Sequence, residues 1–220
     1  MSSRRDVLER LAALLLEVRR DHPLRVAIDG PDAAGKTVLA DEFADLLSGE
    51  RPVISAGIDG FHNPRELRYR RGPDSPEGYF FDSFDYEALR TVLLDPLGPG
   101  GSRRYQRAVF DFRSDGEHTA PAEEAPPDAV LLFDGVFLLR PELRSCWDFS
   151  VFVDVDFEET LRRAETRDRD LFGDAEAVRE RYQTRYIPGQ QLYFDRCTPR
   201  EIADVVVWNT NPSAPEIVAR

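Results

Sequence analysis

Apolar residues recur along this chain with two different periods. Over residues 4–20, Val7, Leu8, Leu11, Leu14, Leu15 and Val18 fall three and four apart, which predicts an amphipathic helix. Residues 24–28 form a nearly continuous apolar run and predict a short buried strand. Helical spacing returns over 36–47, and Gly49 supplies a stop. A second buried strand, 53–58, ends at Asp59. Residues 61–84 are rich in Arg, Pro, Gly and aromatic side chains and read as loop, and 86–94 read as helix. Proline and glycine make 95–101 a loop, 104–112 reads as a strand, and 120–127 is a proline-rich connection. Three strand-like runs remain, at 130–133, 149–155 and 205–207, with helical stretches 158–167 and 175–186 between the last two.

Apolar strands alternating with helices predict parallel strands covered on both faces. The expected fold class is therefore α/β, a three-layer, doubly wound, mainly parallel sheet. At 220 residues the chain fits one domain with a small inserted region, and it holds no internal repeat. A net charge of -12 argues against a duplex nucleic-acid partner, which needs a basic surface. No run approaches the ~20 apolar residues of a membrane span, and 11–16 lack the order of a signal peptide. Cys146 and Cys197 have no CxxC spacing and read as ordinary thiols of a reducing compartment, so a cytoplasmic location is expected.

The chemistry is most legible in Gly30-Pro31-Asp32-Ala33-Ala34-Gly35-Lys36-Thr37, which matches the phosphate-loop pattern GxxxxGK[ST] between a predicted strand and a predicted helix. Glycines let the backbone curl its N–H groups toward phosphate oxygens, and the following helix adds the positive end of its dipole. Lys36 would reach the β- and γ-phosphates of ATP, and the Thr37 hydroxyl would ligate Mg²⁺. Of the 29 basic residues, Lys36 is the only lysine. A compact ammonium suits a seat between phosphates where a guanidinium does not.

Two acids end predicted strands, where ligands gather in open α/β sheets. Asp134, in Leu132-Phe133-Asp134-Gly135, is expected to help hold Mg²⁺, and Asp59 is the candidate base toward an acceptor hydroxyl.

These features resemble the uridine kinase and phosphoribulokinase-like group of P-loop kinases, from about Val26 to Asn209. The resemblance rests on the phosphate loop, on Asp59-Gly60-Phe61-His62, on Tyr79-Phe80-Phe81-Asp82-Ser83-Phe84-Asp85 and on an arginine run at 162–168. It implies a single P-loop kinase domain with a substrate-binding insertion at about 60–120 and a helical lid at about 162–175. In such a domain Asp59 is the general base toward a nucleoside 5'-hydroxyl and Asp82 holds ribose hydroxyls. Phe110-Asp111-Phe112 is similar to an element lining the nucleoside site; His62 is a candidate substrate contact, with a plain surface histidine as the alternative. Arg162, Arg163, Arg167 and Asp168 look like the lid, whose arginines face the substrate, ATP and the transferred group. Asn209 would lie near the adenine.

The chain also departs from the uridine kinases. Phe110 replaces a tyrosine, Asp115 stands where a pyrimidine-reading histidine is usual, and Ser83-Phe84 replaces a His-Pro pair. An acid at 115 suits another nucleobase or another hydroxyl substrate. The expected function is ATP- and Mg²⁺-dependent phosphorylation of a small molecule, a nucleoside such as uridine or cytidine first, with pantothenate, a sugar or a sugar phosphate as alternatives. A regulatory nucleotide switch is the rival class. A guanine-reading Asn-Lys-x-Asp element is impossible with one lysine, but an ATP-dependent switch stays open. The residues leave the oligomeric state open, a homo-oligomer included.

Overall fold

A computed structural model describes residues 3–218. The first helix, α1 (Arg4–Glu17), starts with reciprocal capping: the Ser3 hydroxyl accepts from the Asp6 N–H, and the Asp6 carboxylate accepts from the Ser3 N–H at 2.8 Å. Its buried residues Val7, Leu8, Leu11 and Leu15 are the predicted apolar stripe. Next come β1 (Leu24–Asp29), α2 (Lys36–Leu47) and β2 (Val53–Gly57). The region between β2 and residue 130 holds only short elements. They are a 3₁₀ turn (Ile58–Phe61), α3 (Arg65–Arg68), α4 (Pro76–Asp82), α5 (Tyr86–Leu89) continued by a π turn (Arg90–Leu94) over the helix expected at 86–94, β3 (Arg104–Tyr105), β4 (Phe110–Asp111), β5 (Gly116–Glu117) and β6 (Glu123–Glu124). Then follow β7 (Val130–Asp134), β8 (Phe149–Asp154), α6 (Phe157–Arg167), α7 (Arg169–Phe172), α8 (Ala175–Arg181), α9 (Ile187–Cys197), α10 (Pro199–Ile202), β9 (Val205–Trp208) and β10 (Glu216–Val218).

Six strands form one sheet in the order β10-β9-β8-β1-β7-β2, parallel except for β10. Alternate residues of each strand enter opposite layers. Val26, Ile28, Val130, Leu132, Val151 and Val153 pack with Leu8, Leu11, Leu39 and Phe43 of α1 and α2. Ala27, Leu131, Phe133 and Phe152 pack on the other face with Leu89, Phe137 and Tyr193. The chain is thus the three-layer α/β fold of the P-loop kinases. β1 sits between β7 and β8, so its carboxyl end opens where the strand order diverges. Among the described residues no helix is long and apolar enough to cross a membrane.

Four local expectations differ from the structure. Residues 104–112 are two separate two-residue strands, paired with β6 and β5. Their intervening N–H groups go elsewhere: Gln106 donates to Val92 O and Val109 to Gly60 O. The stretch 61–84 contains α3 and α4, the latter capped by the Ser75 hydroxyl, which accepts from the Gly78 N–H at 3.0 Å. The helix at 175–186 closes with a single π turn, Tyr182–Tyr186, and runs on into α9, which the sequence reading did not anticipate. β10, an antiparallel edge strand, was also unanticipated.

Candidate active site

The phosphate loop joins β1 to α2. Gly30 (φ 150°) lies so near β8 that a β-carbon there would sit 2.4 Å from Val153 O. Gly35 (φ 91°) caps α2, and Ala33 also takes a left-handed φ of 56°. Backbone turns of this kind bring successive N–H groups together around an anion. Gly35 also faces Asn209 closely, since a β-carbon would lie 3.0 Å from Asn209 Nδ2.

Lys36 is buried, and its Nζ donates to Pro31 O at 2.7 Å. The ammonium carries three donors, so further bonds are left for a ligand. Burial pushes its pKa down, and the charges of Asp32, Asp29 and Asp134 oppose that. The Thr37 hydroxyl donates to Asp134 Oδ2 at 2.6 Å. Burial raises the Asp134 pKa, Thr37 and Lys36 pull it back, and nearby Asp59 adds to the rise. Space for this carboxylate depends on β2: Gly57 pairs with Asp134 in the sheet, and a β-carbon on Gly57 would lie 2.8 Å from Asp134 Oδ1.

Asp59 sits in a 3₁₀ turn (Ile58–Phe61) just past β2, with 72% of its side chain exposed. Its carbonyl lies 3.0 Å from His62 Nδ1 and its carboxylate 3.9 Å from the same atom. The His62 ring lies 4.6 Å from Phe84 and 4.9 Å from Phe112, centroid to centroid. Burial lowers the His62 pKa against the pull of Asp59, favouring the neutral ring. Phe110 is buried in β4. Asp82 is buried too, and both carboxylate oxygens are taken, by Arg70 Nη2 at 2.5 Å and Arg71 Nε at 2.7 Å. Burial alone would raise the Asp82 pKa, but these two arginines outweigh it and hold it low. Asp115 (φ 55°) accepts from the Arg65 N–H at 2.8 Å and from Arg68 Nη2 at 3.0 Å.

The arginines of α6 divide three ways. Among the described residues Arg162 pairs with Glu159 alone, and it is 70% exposed. Arg163 braces the phosphate loop, donating to Asn209 O at 2.8 Å and Thr210 O at 3.0 Å and lying 3.4 Å from Ala33 O and Ala34 O. Asn209 completes that brace, its Nδ2 donating to Ala34 O at 2.7 Å. Arg167 pairs with Asp168 at 2.6 Å and donates to Tyr182 OH at 3.1 Å. Its charge is felt at both Asp32 and Lys36 of the loop.

The loop, Lys36, Thr37, Asp134, Asp59 and Arg167 therefore share one electrostatic neighbourhood at the carboxyl ends of the strands. Sequence reasoning missed Asp29, Tyr79, Gln190 and Tyr193. Asp29 is fully buried, accepts from the Gly30 N–H at 2.8 Å and from the Tyr193 hydroxyl, and has its pKa pushed up to about 6 by burial. A signal existed, since Asp29 ends an apolar strand just as Asp59 and Asp134 do.

No protein-family model matches the chain. A uridine kinase of Ligilactobacillus salivarius is 26% identical over 199 residues, covering 86% of each chain. A uridine kinase of Chlamydia pneumoniae is 27% identical over 187 residues, 83% of this chain and 80% of that one. Among solved structures, one named a candidate fructose transport system kinase, from Silicibacter sp., is 26% identical with a TM-score of 0.73, covering 86% of this chain and 95% of that one. Another, named a candidate uridine kinase, from Bacillus stearothermophilus, shares the fold at 23% identity and a TM-score of 0.72, over 92% of this chain and 97% of that one. In sequence and in fold, this chain resembles the uridine kinase-like group of P-loop kinases.

Proposed function

We propose that the chain transfers the γ-phosphoryl group of ATP, with Mg²⁺, to a hydroxyl of a small molecule, with the 5'-hydroxyl of uridine or cytidine as the leading acceptor. The observation that carries this reading is the meeting, past the ends of β1, β7 and β2, of a phosphate loop, the Thr37–Asp134 pair and an exposed carboxylate at Asp59. Simple nucleotide binding would not call for an open carboxylate beside the phosphate seat.

The residues fit Mg²⁺. A hydroxyl and a carboxylate oxygen already meet at 2.6 Å, and Gly57 keeps the space beside the second Asp134 oxygen clear of a side chain. Few protein ligands suit an ion that keeps waters and phosphate oxygens around it. Bound there, Mg²⁺ supplies charge neutralisation to the phosphates. The backbone N–H groups of Ala33, Gly35, Lys36 and Thr37, leading into the start of α2, orient the phosphates, and Lys36 balances charge on the transferred group. Asp59 accepts the proton of the attacking hydroxyl. Arg167, on the last turn of α6, adds positive charge as transfer proceeds, and closure of residues 162–175 over the site would keep water from competing as acceptor.

A second reading, a sugar-like hydroxyl as acceptor, is favoured by Asp115. At the position where uridine kinases carry a base-reading histidine, this carboxylate is already engaged by Arg65 and Arg68. An ATP-consumption screen over nucleosides, pantothenate, sugars and sugar phosphates separates the readings. The expected result is turnover above background with a nucleoside, and turnover only with a sugar moves the assignment to the second reading. No stimulation by any acceptor contradicts both.

A further inference from the structure

The tip of the phosphate loop is held from outside the loop. The Asp32 N–H donates to Gln190 Oε1 at 2.8 Å, and Gln190 Nε2 donates back to Asp32 Oδ2 at 3.1 Å. The Tyr79 hydroxyl of α4 donates to the same carboxylate oxygen at 2.7 Å. Three residues along α9, one turn further, Tyr193 donates to Asp29 at the root of the loop. One helix therefore grips the loop at its root and at its tip through a single face.

That helix is equally fixed to the acceptor side. Gly189 packs so closely on α4 that a β-carbon would lie 2.8 Å from Tyr79 Cδ1 and 3.0 Å from Pro76 O. Upstream, in the π turn that leads into α9, the Tyr182 hydroxyl donates to Asp168 Oδ2 at 2.6 Å beside Arg167. Gln190 itself is buried. An amide is the one side chain of this length that accepts from a backbone N–H and donates to a carboxylate at once. Glutamate keeps the shape and loses the donor, and leucine loses both functions.

We propose that Gln190 is a positioning residue for phosphoryl transfer: its paired hydrogen bonds to Asp32 set the phosphate loop in register with α4 on the acceptor side. This rests on the loop being the nucleotide seat, as proposed above, but not on which acceptor is used. Gln190 acts through Asp32, whose N–H it turns away from the loop and whose carboxylate it shares with Tyr79.

The test is a double-mutant cycle on Mg²⁺ and a non-hydrolysable ATP analogue, read by calorimetry on the whole chain alongside thermal unfolding. Gln190→Leu, Asp32→Ala and the double variant are compared, with Gln190→Glu as the shape-preserving variant should leucine prevent folding. The expected result is a roughly tenfold loss of affinity for Gln190→Leu and for Gln190→Glu, with little further loss when Asp32→Ala is added to Gln190→Leu. Affinity within twofold of the parent in a folded Gln190 variant, whatever happens to Tm, overturns the proposal, as do losses that simply add. The readout needs no acceptor, so a failed acceptor screen would not be mistaken for failure here. Absence of nucleotide binding by the parent chain would instead overturn the kinase reading itself.

Discussion

The nucleotide side and the acceptor side of this site differ in how many parts of the chain must cooperate to build them. Residues 29–37 lie on one strand–loop–helix unit, and the groups that matter are tied down, Lys36 and Asp29 in buried positions: Lys36 to Pro31 O, Thr37 to Asp134, Asp29 to the Gly30 N–H. The proposed acceptor side gathers Asp59 and His62, Arg70 and Arg71, Asp82 and Phe84, and Phe112 and Asp115 from short elements and the turns between them. Asp59, the proposed base, is largely exposed. On the proposed reading, a tightly hydrogen-bonded phosphate seat beside a lightly built acceptor wall keeps the chemistry of the phosphates fixed while leaving the acceptor open to change.

The contrast predicts graded losses. Lys36→Met removes the one ammonium in the seat and should lower kcat by about 100- to 1,000-fold, measured in a coupled ADP assay with the best acceptor. A loss under tenfold would mean that the backbone alone holds the transferred group. Asp59→Asn, on the acceptor side, should lower transfer by about 100-fold while Mg·ATP affinity stays within twofold by calorimetry. A matching loss of affinity would move Asp59 to the nucleotide side.

Asp29 gives the nucleotide side a signature in stability. Its folded pKa is about 6 against an ordinary 3.8, so the folded state holds more protons than the unfolded state between those values. Its contribution therefore favours folding below about pH 4 and is lost as pH rises through 6, by an amount on the order of 3 kcal/mol at most. Denaturant melts at pH 4.5 and 6.5 should show Asp29→Asn gaining on the parent at the higher pH; an unchanged difference would mean that Asp29 is ionised throughout. The smallest effect belongs to Arg70→Ala. Its pair with Asp82 is half-exposed and solvent-screened and should add little stability, while freeing one Asp82 oxygen should change acceptor KM severalfold with kcat held. An unchanged KM would make the Asp82 cluster a purely architectural ion pair.

The same division governs what was legible in the sequence. The phosphate loop could be read because its requirements are local: two glycines, a lysine and a threonine at fixed spacing after an apolar strand. Asp134 and Asp59 followed from the rule about strand ends, and Asp29 obeys that rule as well. Gln190 and Tyr193 were not legible because Pro188 and Gly189 suggest a break where the chain makes α9. Pro188 is tolerated there in the first turn, and Gly189 is small because Tyr79 packs against it. Residues 104–112 misled in the opposite direction. Their alternation suggests one strand, yet their backbone partners are Val92, Gly60, β5 and β6, and no local pattern encodes so divided a set.

The arginines carry the same lesson. Arg162, Arg163 and Arg167 look equivalent in sequence, but one pairs with Glu159 on the surface, one braces the loop against residues 209–210, and one projects its charge onto Lys36 and Asp32. Helical phase and the position of β9 decide among them, and neither is visible without the fold.

The most direct measurement follows the label of γ-³²P-ATP in reactions of the parent chain and of Asp59→Asn with uridine, cytidine and the sugar panel. Label should appear on a hydroxyl of one acceptor with the parent chain and fall about 100-fold with Asp59→Asn. Label released only as inorganic phosphate, at one rate with and without every acceptor, would contradict the account.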